Sequence, residues 1–551
     1  MNNRARPLSV FLSGIFLVLL VTWLVTRPRE TSGAKNSPAL SDPVSVSTPL
    51  PTEGANPTRA ESGSARPLVA KDILAYLNRL LGRRDARAKE ALLTFKDDDA
   101  YRRFLARAPE TGLTILGRLD RFRTVRVGYD AITGLQRDML DHSADYAEVA
   151  PNFTMSIPTT PAKEERDAVD QVPFGNRMLE FLGANGDRSQ WGRGTTIAIL
   201  DSGVAADRTF GEGRLRTIDI GLGMLTGTER DSGHGTSVAA LAAGFANDAP
   251  GVAPAANLLS IRVTDANGTS DVFTVSQAIL GAVDAGAKII NISLGGYGTN
   301  NALDAAIGYA EKNGALIVAA AGNDQAAQLT WPAADSRVVS VGAVDALGQQ
   351  VLFSNSGPQL QITAPGYGVQ TAWLDGQRVT VNGTSASAPI VAGAISAVMS
   401  ENPGYTPQQA WQVLQQTASD SGAPGADSNY GNGILNLGWA MNRNNPAYID
   451  TAVASHYYDT TKQEMDFVVQ NRSGQAVGGL QLNVTTNGVN TTYAVPVLAA
   501  GASTVITAPV NQSAVKAAGS ATYASQLVNP SGVVDRVPAN NRRSTVLTPV
   551  K

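Results

Sequence analysis

Thr195-Thr-Ile-Ala-Ile-Leu200 is an apolar run that leads directly into an acid, in Asp201-Ser-Gly-Val204. An apolar stretch without polar alternation predicts a strand covered on both faces, as in a parallel sheet layered by helices. The texture returns at Asn257–Val263, Lys288–Ile292 and Ala315–Ala319, alternating with helices of small residues. From about 171 to 445 this alternation predicts an α/β unit with a parallel sheet and helices on both faces. Asp201 stands at the carboxyl end of its strand, where open α/β sheets assemble their sites. Taken alone, it reads more simply as a helix cap.

Both flanks of this block differ from it. Residues 90–150 read as βαββαβ, with strands at Ala91–Phe95, Leu113–Leu119, Thr124–Tyr129 and Tyr146–Val149 and helices at Asp98–Ala108 and Ile132–Leu140. Asp97–Asp99 supply the first helix start. After about Pro446 the pattern becomes period-two strands such as Met465–Val469, Leu480–Val484 and Thr504–Ile506, which predicts a small β-sandwich. At the amino end, Leu8–Thr26 is uncharged and apolar and follows Arg4 and Arg6. It reads as a signal anchor, with a cleavable signal peptide ending near Ser32 and Ala34 as the rival. Pro, Ser, Thr, Gly and Ala then dominate to about Pro67, as in a disordered spacer.

The chain therefore divides into a cytoplasmic tail at 1–7, a transmembrane anchor at 8–26 and a disordered linker at 27–67. An α+β unit at 68–155, a linker at 156–170, the α/β block at 171–445 and an all-β unit at 446–551 follow. The expected location is the cell membrane, single-pass through the amino-terminal helix, with the large units periplasmic or extracellular and released on processing.

A net charge of −3 with no Lys/Arg stripe excludes a nucleic-acid partner. The absence of cysteine excludes disulfides, thiol nucleophiles and Cys-based metal sites. Only three histidines occur, His142, His234 and His456. His142, after the second helix of the α+β unit, reads as a solvated surface group or, alternatively, as a pH sensor for release.

Asp231-Ser-Gly-His234-Gly-Thr-Ser-Val-Ala-Ala240 places the block's one histidine at the start of a small-residue helix, between glycines that let neighbours approach closely. Asn382-Gly-Thr-Ser385-Ala-Ser-Ala-Pro389 puts Ser385 at the amino end of an apolar helix, where a lone serine would be a cap. Asp-Ser-Gly, His-Gly-Thr and Gly-Thr-Ser-x-Ser-x-Pro in this order resemble the subtilase family of serine proteases. Gly251-Val-Ala-Pro254, Ser293-Leu-Gly-Gly296, Ala319-Ala-Ala-Gly-Asn323 and Trp331-Pro332 extend the resemblance over about half the chain.

The resemblance implies a subtilisin-like parallel-sheet catalytic domain and hydrolysis of polypeptide substrates through an acyl-enzyme. Ser385 would be the nucleophile, His234 the general base and Asp201 its orienting acid, with Asn323 in the oxyanion hole. Gly268, Ser293, Leu294, Gly295, Gly296, Ala320, Gly322 and Thr330 would bind substrate. Thr330 falls where the family usually places glycine at the base of the primary pocket, implying a shortened pocket. Residues 68–155 resemble a subtilisin-type propeptide, the enzyme's own inhibitor, and 446–551 are similar to CARDB-like sandwiches. No cofactor is expected to be required. Calcium is the one ion the family would supply, but the loop from His234 to Gly251 offers only Asn247 and Asp248, against the 6 to 8 oxygens a hard cation needs. A pseudoenzyme scaffold, or an esterase or ligase sharing the acyl step, are the competing readings.

Overall fold

The computed structural model describes residues 77, 79, 81–159, 171–223, 226–228 and 231–549, which fall within one compact unit, Leu68–Lys551. The tail, anchor and linker expected at 1–67 lie outside the described residues. Among the described residues no helix is long and apolar enough to cross a membrane. That corrects the cell-membrane localisation. The longest described helix, Thr384–Glu401, is covered instead by the protein's own interior.

The amino-terminal unit has strands β1 (Glu90–Phe95), β2 (Leu113–Leu119), β3 (Thr124–Tyr129) and β4 (Tyr146–Ala150), with helices α1 (Asp98–Arg107) and α2 (Thr133–His142). Asp97 opens α1 by accepting the Ala100 N–H at 2.7 Å. The antiparallel order is β2-β3-β1-β4. Because side chains alternate across a strand, Leu93 and Phe95 pack with Phe104 and Leu135 on one face, while Leu92 looks the other way.

Next, β5 (Thr154–Ser156) leads towards the block. Its sheet comprises β6 (Thr196–Asp201), β7 (Leu215–Ile218), β8 (Asn257–Arg262), β10 (Ile289–Ile292), β11 (Leu316–Ala320), β12 (Val339–Val344) and β13 (Ile362–Pro365); the short β9 (Thr269–Asp271) pairs with β5 instead. All seven strands are parallel in the order β13-β12-β11-β10-β6-β8-β7. The order reverses beside β6, so Asp201 ends its strand at the switch point. Helices α3 (His234–Ala243), α4 (Val272–Asp284), α5 (Asn301–Lys312) and α6 (Thr384–Glu401) cover the sheet. Two apolar clusters divide between its faces: Ile197 and Ile199 look into one, Ala198 and Leu200 into the other.

A hairpin of β14 (Val369–Ala372) and β15 (Arg378–Val381) precedes α6. The carboxyl-terminal unit pairs β16 (Thr451–Asp459), β17 (Glu464–Asn471) and β20 (Ser503–Pro509) in one antiparallel sheet. The other sheet holds β18 (Gln481–Thr486), β19 (Val489–Ala494), β21 (Ala521–Val528) and β22 (Arg542–Leu547). Phe467, Leu482, Val484 and Tyr523 share the core of this unit. A helix at Gln512–Ala518, which the period-two pattern does not announce, links β20 to β21; Asn511 caps it.

Candidate active site

Asp201 is fully buried, and its Oδ1 accepts hydrogen bonds from the Ser202 N–H at 2.7 Å and from His234 Nδ1 at 2.8 Å. The second contact fixes the imidazole's tautomer, leaving Nε2 on the other side of the ring. Burial acts to lower the His234 pKa, but the charge and hydrogen bond of Asp201 outweigh it, so the net shift is upward from 6.5. The flanking glycines are needed for different reasons: a Cβ on Gly235 would sit 2.3 Å from the Gly203 carbonyl oxygen, and one on Gly233 would sit 2.1 Å from the Trp373 indole.

Ser385, in the first turn of α6, lines the same cleft of about 440 Å³ as His234. Pro389 has no N–H to donate to the Ser385 carbonyl four residues back, and the Ser293 hydroxyl donates to that oxygen instead at 3.0 Å. Asn323 Oδ1 accepts from the Thr384 N–H and hydroxyl, both at 3.0 Å, which aims its Nδ2 at the cleft. Asn323 Nδ2 and Ser385 Oγ converge on Gly383, lying 2.8 and 3.0 Å from where a Cβ would be.

The chain's own segment 154–159 runs to the edge of this cleft. β5 pairs antiparallel with β9, and on its other side the Ser156 N–H donates to Gly295 O at 2.9 Å while the Gly295 N–H donates to Ser156 O at 3.0 Å. The Pro158 carbonyl accepts from Asn323 Nδ2 at 3.2 Å. Ile157, Pro158 and Thr159 line the cleft with His234 and Ser385.

Of the expected binding residues, Gly295 pairs directly with this segment and Leu294 is buried in the same apolar cluster. Ser293 braces Ser385, and the Gly296 N–H donates to Trp331 O at 3.2 Å. Ala320 and Gly322 flank Thr330, whose hydroxyl donates to Ala320 O and Ala321 O, each at 3.3 Å. Gly268 falls in the turn before β9, at φ +73°, and Thr269–Asp271 do the pairing instead.

Sequence reasoning missed Thr384 and Asn355. Asn355, fully buried, accepts from the Asp324 and Ala326 N–H groups and donates to Ala321 O, bracing the Asn323 loop. No periodicity marks it, although a buried Asn is costly without such partners. Asp248, on which the calcium expectation turned, is ion-paired with Arg208 and Arg378, a donor set that does not fit a hard cation. His142 is exposed on the amino-terminal unit. His456 lies in the sandwich between Ser525 and Thr545, where burial and then Arg543 push its pKa down to about 3.

Residues 192–433 match the model of the subtilase family. Over 270 residues the chain is 33% identical to subtilisin Savinase of Lederbergia lenta, covering 48% of this chain and 97% of that protein. The chain belongs to the subtilase family. This subtilase is also 36% identical over 271 residues to the thermostable alkaline protease of Halalkalibacterium halodurans, covering 49% of its own chain and 73% of the relative. The epidermin leader peptide processing serine protease of Staphylococcus aureus shares the fold, with a TM-score of 0.53 at 20% identity over 64% of this chain and 99% of that one. The subtilase is thus a subtilisin-like serine endopeptidase, a hydrolase acting on polypeptides.

Proposed function

We propose that this endopeptidase works through Ser385, His234 and Asp201, and that its amino-terminal α+β unit is a built-in inhibitor. In this reading Ser385 Oγ attacks the scissile carbonyl while His234 Nε2 takes its proton and returns it to the leaving amine. Asp201 orients the ring and stabilises its charged form. Asn323 Nδ2 and the Ser385 N–H face the oxygen that gains charge. The observation that carries the reading is the Asp201–His234 contact opening on the cleft that Ser385 lines.

The inhibitor role is supported by segment 154–159: residues 154–156 pair as a strand with β9, and Ile157, Pro158 and Thr159 line that cleft, with the Pro158 carbonyl on Asn323 Nδ2. Within the same proposal, the carboxyl-terminal sheets form a CARDB-like accessory module. Labelling with a fluorophosphonate tests the triad: wild type should react and Ser385→Ala should not, with both showing the same circular dichroism. Equal labelling of the two would discard the assignment.

A further inference from the structure

Between the catalytic block and the sandwich lies a cavity of about 870 Å³, within the size range of small-molecule sites, and it shares no lining residue with the cleft of Ser385. Its two sides differ in chemistry. From the block, Phe181, Leu347 and Ile434 present an apolar wall, and Leu347 remains 57% exposed. From the sandwich come the guanidinium groups of Arg472, Arg536, Arg542 and Arg543. Glu180 and Asp450 are the acids in the lining.

The positive charge on the sandwich side is not matched at close range. Among the described residues, none of the four arginines has a carboxylate within ion-pair distance. Arg472, 5% exposed, commits Nε and Nη2 to Gln470 Oε1 at 3.1 and 2.9 Å, which leaves Nη1. Arg543 gives Nη1 to Ala454 O at 2.7 Å and keeps Nε and Nη2. Asp450 is itself engaged, accepting from Asn540 Nδ2 at 2.8 Å and from the Tyr448 hydroxyl at 3.4 Å. Asp420 and Asp535 act on Arg472 from outside the lining, beyond ion-pair distance. Burial lowers the Arg472 pKa against the pull of Asp450, and the charge of Arg543 adds to the lowering. Two largely desolvated guanidinium groups that repel each other are relieved by an anion between them.

A further group narrows the choice of anion. Asn540 lines the same cavity, and its Oδ1 is buried without a hydrogen-bond partner among the described residues. Such an acceptor is costly until a donor reaches it. A ligand that meets all three demands carries a carboxylate, an N–H close to it and an apolar side chain.

We propose that this cavity binds the free carboxyl end of a short peptide whose last residue is apolar. The carboxylate lies on Arg472 and Arg543, the N–H of the last residue on Asn540 Oδ1, and its side chain against Phe181, Leu347 and Ile434. Hydrolysis of any peptide bond leaves a free carboxyl end, so an endopeptidase generates this class of ligand itself. A bound peptide touches both units and holds the sandwich more firmly on the block.

The test is calorimetric titration of the full chain with acetyl-Leu-Leu, alongside acetyl-Leu-Leu-amide, octanoate and inorganic phosphate. One acetyl-Leu-Leu should bind per chain and raise the melting temperature. The amide, which lacks the charge, and octanoate, which lacks the N–H, should each bind about tenfold more weakly. Phosphate should not displace the peptide. Arg543→Gln should weaken acetyl-Leu-Leu about tenfold, and Leu347→Asp, at an exposed position that can change without disturbing a core, by at least as much. Both variants should keep the wild-type circular dichroism and a kcat/KM within about twofold. Acid and amide binding alike, phosphate competing as well as the peptide, or either variant binding as wild type does, overturns the proposal. It uses no member of the triad, so its failure leaves the peptidase reading standing, and an inactive wild type leaves this site standing.

Discussion

The two outer units meet the catalytic block in different ways. The amino-terminal unit shares its core with the block: Leu92, Leu119, Phe153, Met155 and Ile157 lie in one cluster with Phe273, Leu294 and Ile290. Gly117 allows that closeness, because a Cβ there would sit 2.8 Å from the Phe273 ring. Charged groups add to it. Arg87 bridges Asp265 at 3.0 Å and Asp271 at 3.1 Å, and Glu148 accepts the Asn301 N–H at the start of α5 at 3.0 Å.

The sandwich keeps its own core. It meets the block through Ser455 Oγ donating to Gly422 O at 2.8 Å and the Arg472 guanidinium over Trp439 at 5.9 Å. A cavity of about 870 Å³ lies between them, lined by Phe181, Leu347 and Ile434 on one side and Val453, Arg472 and Arg543 on the other. A shared core couples the folding of two units; separate cores with a cavity between them leave each to fold largely alone.

The largest test of this contrast removes the cut. Ser385→Ala should lower kcat by about 10⁶ and leave the amino-terminal unit joined to the block, as gel mobility would show. A chain that still separates would mean that another agent divides it.

Truncation comes next. A chain starting at Thr159 should refold to active enzyme with a yield lowered about tenfold or more, because the apolar face around Phe273 loses its cover. Ending the chain at 445 should leave kcat/KM within about twofold, since none of the residues that join sandwich to block lines the catalytic cleft. Equal damage from both truncations would erase the contrast.

A smaller effect is expected at the charged edge. Asp271 is 1% exposed, and Arg87→Ala would leave it with Arg126 at 3.5 Å as its remaining guanidinium. Inhibition by the amino-terminal unit should weaken about fivefold, read as an inhibition constant, since Arg126 still faces Asp271. Unchanged inhibition would assign the interface to apolar burial alone.

The smallest effect is a pH shift. In the proposed mechanism His234 is the general base and must be neutral, so kcat/KM should fall as pH drops through the raised His234 value, with a midpoint above 6.5. The stabilisation from the charged Asp201–His234 pair runs the other way: it is full below the unfolded value and lost as pH rises through the folded one. Acid should therefore silence the enzyme before it weakens this pair. Asp201→Asn should move the midpoint down, and a midpoint that stays in place would deny Asp201 its charge role.

Much of the fold was legible because it is written in local pattern. Continuous apolar runs gave β6, β8, β10 and β11 to within a residue or two, since strands covered on both faces tolerate little polarity. The helix at 512–518 escaped because seven residues with one buried side chain carry no period.

By itself the sequence determined the layered parallel sheet, the chain order of Asp201, His234, Asn323 and Ser385, and the family, since each is carried by short contiguous motifs. Only the tertiary structure decided what those motifs face. Arg87 reaches Asp271 across 184 residues, Asn323 meets the Pro158 carbonyl across 165, and Thr384 aims Asn323 across 61. Such contacts depend on how separate layers pack, and no periodicity along the chain encodes the distance between residues that meet only in the folded state.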